Sequence, residues 1–303
     1  MAVYFLYLLL AVLFLLAAAG FYFSRKVIYI PLKKIEKILE YESQDPSFDM
    51  EWYERLNKED VSVSSPFGYT ISGTFIRNDK SDGRTVIFCH GVTVSRMSMI
   101  KYTSMYYKRG WNLFLYDHRR HGKSGGKTTT YGYFEKHDLK AVVDYIRNKA
   151  GDSAIIGIHG VSMGAATLLQ YAGMEDKADF YIADCPYSNL WELLAYLLKR
   201  DYHLPPFPLM QIADLFIRLQ AKFGIKSVNP YSDTKNINNP VLFIHGEADY
   251  YVPASMSVEM RKAKKGPGEL YIAPGAGHAE AMREDPKAYE NAIFSFLEKA
   301  EIS

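Results

Sequence analysis

The chain has 303 residues, of which 23% are charged, with a formal net charge of +2. That length accommodates a short leader and one α/β domain of about 250 residues, and the near-neutral balance excludes the strong field that a nucleic-acid partner needs. Cys89 and Cys185 sit in apolar strand contexts and read as buried free thiols; with no nucleotide-binding glycine-rich loop and no metal-spaced Cys/His cluster, neither cofactor nor metal is expected.

From Met1 to Phe23 no side chain is charged, and an apolar run of that length spans a bilayer core as a helix. Residues 1–24 are therefore expected to form an uncleaved single-pass anchor. A cleaved signal peptide competes, with Ala17-Ala18-Ala19 as its cleavage site. Against it, no Lys or Arg precedes the run, which is also long for that purpose. Arg25, Lys26, Lys33, Lys34 and Lys37 all follow the run, so the positive-inside rule favours the rest of the chain on the cytoplasmic face of the cell membrane. Residues 25–49 read as a basic amphipathic linker. Leu32, Ile35, Ile38 and Leu39 repeat at helical spacing opposite the lysines, which suits either the anionic headgroup region or packing on the domain.

The segment 50–303 carries the strand signals. Val61–Ser64 and Tyr69–Ile76 flank a Pro66-Phe67-Gly68 turn and predict a hairpin. Six apolar runs of parallel-strand type follow: Thr85–Cys89, Asn112–Tyr116, Ala154–His159, Asp179–Ala183, Pro240–Ile244 and Glu269–Ile272. Helical segments alternate with them around 95–108, 133–149, 162–174, 255–263 and 286–299. The pattern predicts an α/β fold with a mostly parallel eight-stranded sheet covered by helices on both faces.

One interval breaks the alternation. Between Pro186 and Pro240 the chain carries two strongly apolar helical segments and no strand, separated by His203-Leu204-Pro205-Pro206-Phe207-Pro208. An insertion of about 187–229 at this point lies over the carboxyl edge of the sheet, where open α/β sheets bind ligands. It reads as a helical lid, with Trp191, Leu194 and Phe216 as candidate lining for an acyl or other apolar group. The alternative is that these faces bury against each other and the domain.

The chemistry is carried by Gly160-Val161-Ser162-Met163-Gly164, placed where a strand turns into a helix. A serine at such a junction occupies a strained turn that presents its hydroxyl above the sheet, and the flanking glycines avoid a Cβ where strand and helix approach closely. Ser162 is the candidate nucleophile. After the strand 241–244, His245-Gly246-Glu247-Ala248-Asp249 places Asp249 on the loop facing it, and Gly277-His278 follows the last strand. His278 then serves as the base and Asp249 fixes its tautomer, with Glu247 and Asp184 as other candidate acids. Backbone N–H groups of Met163 and of Val92, or of Thr93 beside it, are the candidate oxyanion donors. His90, His159 and His245 sit beside glycines or strand ends and read as structural.

With His90-Gly91, Asp117-His118-Arg119-Arg120-His121-Gly122-Lys123-Ser124-Gly125, the elbow, His245-Gly246-Glu247-Ala248-Asp249 and Gly277-His278, the chain from about residue 50 onward resembles the serine α/β-hydrolases of the S33-like group. Within that group it is similar to the membrane-anchored YqkD-like branch. The resemblance implies the hydrolase fold and a Ser162–Asp249–His278 triad, and leaves the substrate open. A carboxylic-ester hydrolase acting on a small acyl ester, a lipid or a thioester through an acyl-enzyme is the leading reading. An S33-type serine aminopeptidase is the first alternative, with Glu192 and Asp214 as carboxylates for a substrate amine. A catalytically silent membrane-tethered binding module is the second. The stretch from Asp117 to Gly125 departs from the commoner pattern by carrying Arg120-His121 before Gly122, and reads as a support for the oxyanion side.

Overall fold

Alternating side chains on each strand build two apolar layers, one on either face of a single sheet. The computed structural model describes residues 1–151 and 153–302. Its strands are β1 (Lys58–Ser64), β2 (Thr70–Ile76), β3 (Thr85–Cys89), β4 (Asn112–Tyr116), β5 (Ile156–Val161), β6 (Phe180–Asp184), β7 (Val241–Gly246) and β8 (Gly268–Ala273). They pair in the order β1-β2-β4-β3-β5-β6-β7-β8. β2 is antiparallel to both β1 and β4, and every other pairing is parallel.

Strands β3 to β7 are buried at every position, which explains their unbroken apolar runs: helices cover both faces, so neither face needs polar residues. Successive residues point to opposite layers. Phe88 joins Leu115, Ile182 and Ile244 under the carboxyl-terminal helix Pro286–Lys299, which contributes Tyr289, Ile293 and Phe296. Ile87 joins Phe114 and Ile158 under the helix Glu135–Ala150 and the elbow helix Met163–Met174. Edge strand β1 alternates between buried and exposed positions, as expected for one solvated face.

Several boundaries differ from the sequence reading, two of them beside the site. β5 begins at Ile156 and runs on to Val161, directly into the elbow. The segment expected as one helix over 95–108 is a 3₁₀ turn, Arg96–Tyr102, followed by a short α-helix, Thr103–Tyr107. Here the Asp117 carboxylate captures the Arg96 N–H at 2.8 Å and the Thr103 hydroxyl bonds the Ile100 carbonyl, local alternatives to the α-helical ladder.

A third apolar cluster lies over the carboxyl ends of the strands. It joins the insertion helices Leu190–Tyr202 and Leu209–Ala221 to Met163, Tyr131, Val252 and Ile28. Ile28 ends the amino-terminal helix Ala2–Ile28, which is long and apolar enough to cross a membrane. Every residue from Met1 to Leu15 is exposed, whereas Gly20, Ser24 and Ile28 are buried. Gly20 is needed at the contact, since a Cβ there would collide with Ile212. Phe21 meets Phe216 edge-on at 5.4 Å, and Gln220 donates to the Ser24 hydroxyl at 3.0 Å.

From the last turn of that helix onward, residues 25–49 are packed on the body. The Tyr131 hydroxyl donates to the Val27 carbonyl, the Thr129 N–H to that of Ile28 and the Arg120 guanidinium to that of Ile30. Helix Ile35–Glu42 buries Ile38, and Lys101, itself buried, pairs with Glu42 at 3.1 Å and with Asp45 at 3.3 Å.

Candidate active site

The elbow is strained as its sequence requires. Ser162 has φ 55° and ψ −114°, outside the regions a side chain ordinarily adopts. The turn is held because the Ser162 N–H donates to the Asp184 carbonyl at 2.8 Å. A Cβ on Gly160 would stand 2.6 Å from the Gly164 backbone, and one on Gly164 would collide with the Cys89 carbonyl. Any larger residue at either place would push the elbow helix off β3.

Two loops bring the other groups over. The Glu247 N–H donates to the Ala273 carbonyl and the Ala248 N–H to that of Ala276, both at 2.9 Å. A Cβ on Gly246 would strike the Ala276 carbonyl, so glycine permits the loops after β7 and β8 to run side by side. This places the Ser162 Oγ 2.9 Å from His278 Nε2, and His278 Nδ1 2.6 Å from Asp249 Oδ2. A carboxylate facing Nδ1 makes that nitrogen the donor and leaves Nε2 to accept the serine proton. The structure therefore brings together Ser162, His278 and Asp249.

Asp249 is held from several sides. Its Oδ1 accepts the N–H groups of Tyr251 and Val252 at 2.9 and 2.8 Å. Its Oδ2 lies 3.2 Å from His245 Nε2 as well as against His278. Burial alone would raise this carboxyl, yet hydrogen bonds from His245, His278 and Val252 hold it well below the usual carboxylate range. The side chain is fully buried and ionised, while His278 keeps 23% of its side chain accessible.

The other acids lie elsewhere. Asp184 is buried and accepts from the Tyr289 hydroxyl at 2.8 Å, and burial raises its carboxyl above the ordinary value. Glu247 is exposed and accepts from the Gly275 N–H at 3.1 Å. Asp214 is bound to Arg218 at 2.8 Å and to the Ile225 N–H at 2.6 Å. Neither Asp214 nor Glu192 lines the cavity that holds Ser162.

That cavity, about 340 Å³, is lined by Gly91, Val92 and Thr93 beside Ser162 and His278. Met163 is the first residue of the elbow helix, so its N–H has no acceptor within the helix. The Val92 loop faces the same space and is braced from behind. His90 Nδ1 donates to the Gly91 carbonyl at 2.7 Å and Nε2 accepts the His118 N–H at 2.9 Å. Burial and the neighbouring His118 and His121 push His90 well below its ordinary pKa, which fixes the neutral tautomer. The Asp117 carboxylate ties Arg96 and Lys123 into the same support, and the Thr93 carbonyl accepts the Lys33 N–H at 2.8 Å.

A larger cavity of about 730 Å³ lies between the insertion and the amino-terminal helix. Leu194 lines it. Trp191 instead lies under the Lys226 ammonium at 4.6 Å, and Phe216 packs on Phe21. Helical periodicity identifies an apolar face without saying what covers it, and here the covering element lies some 190 residues earlier in the chain. Two further residues stand beside Asp249 and His278 that the sequence reading did not place there. His245, read as structural, contacts Asp249. Tyr251 lines both cavities and sets its ring 5.0 Å from that of His278. Its proximity to Asp249 in the chain was the available signal.

Comparison with known proteins gives the same architecture. The model of the alpha/beta hydrolase fold matches residues 84–203, and that of a TAP-like protein matches residues 221–303. YqkD of Bacillus subtilis is 41% identical over 93% of this chain and 92% of its own. The human alpha/beta hydrolase domain-containing protein 17B is 25% identical over 70% of this chain and 66% of its own. Among solved structures, the Pyrococcus furiosus esterase Pf2001 superposes with a TM-score of 0.67 at 27% identity, covering 80% of this chain and 91% of that one.

Proposed function

Since the chain belongs to the α/β-hydrolase family, in its YqkD-like group, we propose that it is a membrane-anchored serine esterase that cleaves a carboxylic ester through an acyl-enzyme on Ser162. The observation that carries the reading is the unbroken relay from Ser162 Oγ through His278 to the ionised Asp249. The esterase among its structural relatives supports the ester over the amide. So does the engagement of Asp214 with Arg218, which leaves it unavailable to a substrate amine.

In this reading the Ser162 oxygen attacks the ester carbonyl while His278 Nε2 takes its proton. The negative oxygen of the tetrahedral intermediate is received by the N–H groups of Met163 and Val92. Collapse expels the alcohol, which leaves with the proton from His278. Water, activated by the same imidazole, then attacks the acyl-enzyme and frees the acid. Asp249 stays ionised throughout and stabilises the imidazolium formed in each half. The amino-terminal helix anchors the protein in the cell membrane, with the basic residues from Arg25 onward favouring a cytoplasmic body.

The test is hydrolysis of p-nitrophenyl esters from acetate to palmitate by the full-length protein in detergent micelles, beside Ser162→Ala. Turnover that disappears in the variant is expected. Turnover that persists in Ser162→Ala, or its absence from the unmodified folded chain, overturns the reading.

A further inference from the structure

The larger cavity has a composition unlike that of the serine pocket. Its walls are apolar side chains drawn from two sources: Leu194, Leu198 and Met210 of the insertion, and Phe23 and Val27 of the amino-terminal helix. Arg25, Lys26 and Asp201 are its charged lining residues, the first two in the last turn of that helix. The serine pocket instead carries Lys33, Glu42 and Lys101 on its lining. Tyr251 is common to both. The cavity past Tyr251 is thus suited to a hydrocarbon.

Position supplies the rest. The helix is exposed from Ala2 to Leu15, packs in part from Leu16 and is first buried at Gly20. Cavity lining begins at Phe21, so the cavity starts where the apolar span ends. Basic residues at that level suit lipid headgroups. The insertion also leaves Leu204, Phe207, Leu215 and Leu219 exposed, apolar surface that a bilayer boundary would cover.

We propose that this cavity is the subsite for the acyl chain of a membrane lipid ester, walled on one side by the protein's own amino-terminal helix and parted from the serine by Tyr251. The inference rests on the esterase reading and names its substrate class. The chain leaves the bilayer beside Arg25 and Lys26, lies against Phe23, Val27, Leu198 and Met210, and passes Tyr251 to bring its ester to Ser162. The alcohol portion then lies in the serine pocket, on the side of Lys33. The volume of about 730 Å³ falls in the range of pockets that enclose ligands of this size.

A single-chain probe tests this on the unmodified protein. A hexadecyl fluorophosphonate with a diazirine at the far end of its chain is added to full-length protein in phosphatidylcholine–phosphatidylglycerol vesicles. The Ser162 oxygen forms a bond to phosphorus, fluoride leaves, and the proton passes to His278. Irradiation then links the chain end to whatever surrounds it, and the peptides are identified by mass spectrometry. Crosslinks within residues 21–31 or 194–213 are expected. Crosslinks confined to other residues, or to lipid alone, overturn the subsite and leave the esterase intact. Failure to label Ser162 overturns the esterase reading itself, and the subsite with it.

A variant gives an independent readout. Ala213 also lines the cavity; Ala213→Trp fills it, and the ratio of palmitate to acetate turnover should fall at least tenfold. A ratio within twofold of the parent in a folded variant speaks against the subsite. Should the variant not fold, the crosslinking result decides.

Discussion

The floor and the roof of this site are built by different rules. The floor, formed by the ends of β3, β5, β6, β7 and β8, is assembled from turns whose geometry is written locally: a strained serine between obligatory glycines, and two loops zipped by backbone hydrogen bonds. The roof is assembled from helix faces that find each other across the whole length of the chain, as Gly20 finds Ile212 and Phe21 finds Phe216. The floor tolerates almost no change of shape, whereas the roof offers adjustable apolar surface. In the proposed enzyme, the first governs whether the reaction occurs and the second governs on what.

The largest effects should come from the floor. Ser162→Ala and His278→Ala should each lower kcat by about 10⁵–10⁶-fold, and Asp249→Asn by about 10⁴-fold, with ester hydrolysis as the assay. Glu247→Gln should stay near the parent; a severe loss there with an active Asp249→Asn would transfer the acid role. Next, Gly164→Ala should destabilise the fold by about 3 kcal/mol or more, read by chemical denaturation, because the added methyl meets backbone that cannot yield. His245→Ala removes one donor from Asp249 and should cost roughly tenfold or more in kcat; an unchanged kcat would make the residue purely a packing group.

Gly20→Leu probes the roof alone. It should wedge the amino-terminal helix away from Ile212 and shift chain-length preference, with thermal stability of the body moving by only about 1–2 kcal/mol. Equal losses on acetate and palmitate would erase the distinction between the two regions. A separate effect concerns Asp138, on the helix Glu135–Ala150 and bonded to Ser65 and Tyr69. Burial pushes its carboxyl up to about 6 against hydrogen bonds from Ser65 and Tyr69. The folded state therefore binds this proton more tightly than the unfolded chain, whose carboxyl titrates near 3.9. Stability should fall as pH rises from about 4 to 6, by at most about 1.4 kcal/mol per unit. Asp138→Asn should flatten that slope in denaturation curves without touching chain-length preference.

The same division explains what could be read from the sequence. Strands β3 and β4 and the helices Ser255–Ala263 and Pro286–Lys299 fall where apolar runs and a proline start signal put them. Ser162, Asp249 and His278 could be singled out because strand ends and glycine spacing are properties of neighbouring residues. The roof was legible only as apolar faces without partners: Leu194 lines a cavity, whereas Trp191 and Phe216 are engaged elsewhere. Tyr251 and His245 draw their place from contacts that no periodicity encodes.

Finally, the carbonyls of Val27, Ile28 and Ile30 are all claimed by donors of the body. In the proposed membrane-anchored enzyme, no slack tether would separate the apolar helix from the body, and the body would not sweep an aqueous volume around its anchor. Mounted as proposed, it would sample reactants by lateral diffusion in two dimensions. Its velocity should follow the mole fraction of ester in the lipid surface, and inert phospholipid should slow it by dilution even when the bulk ester concentration is held constant.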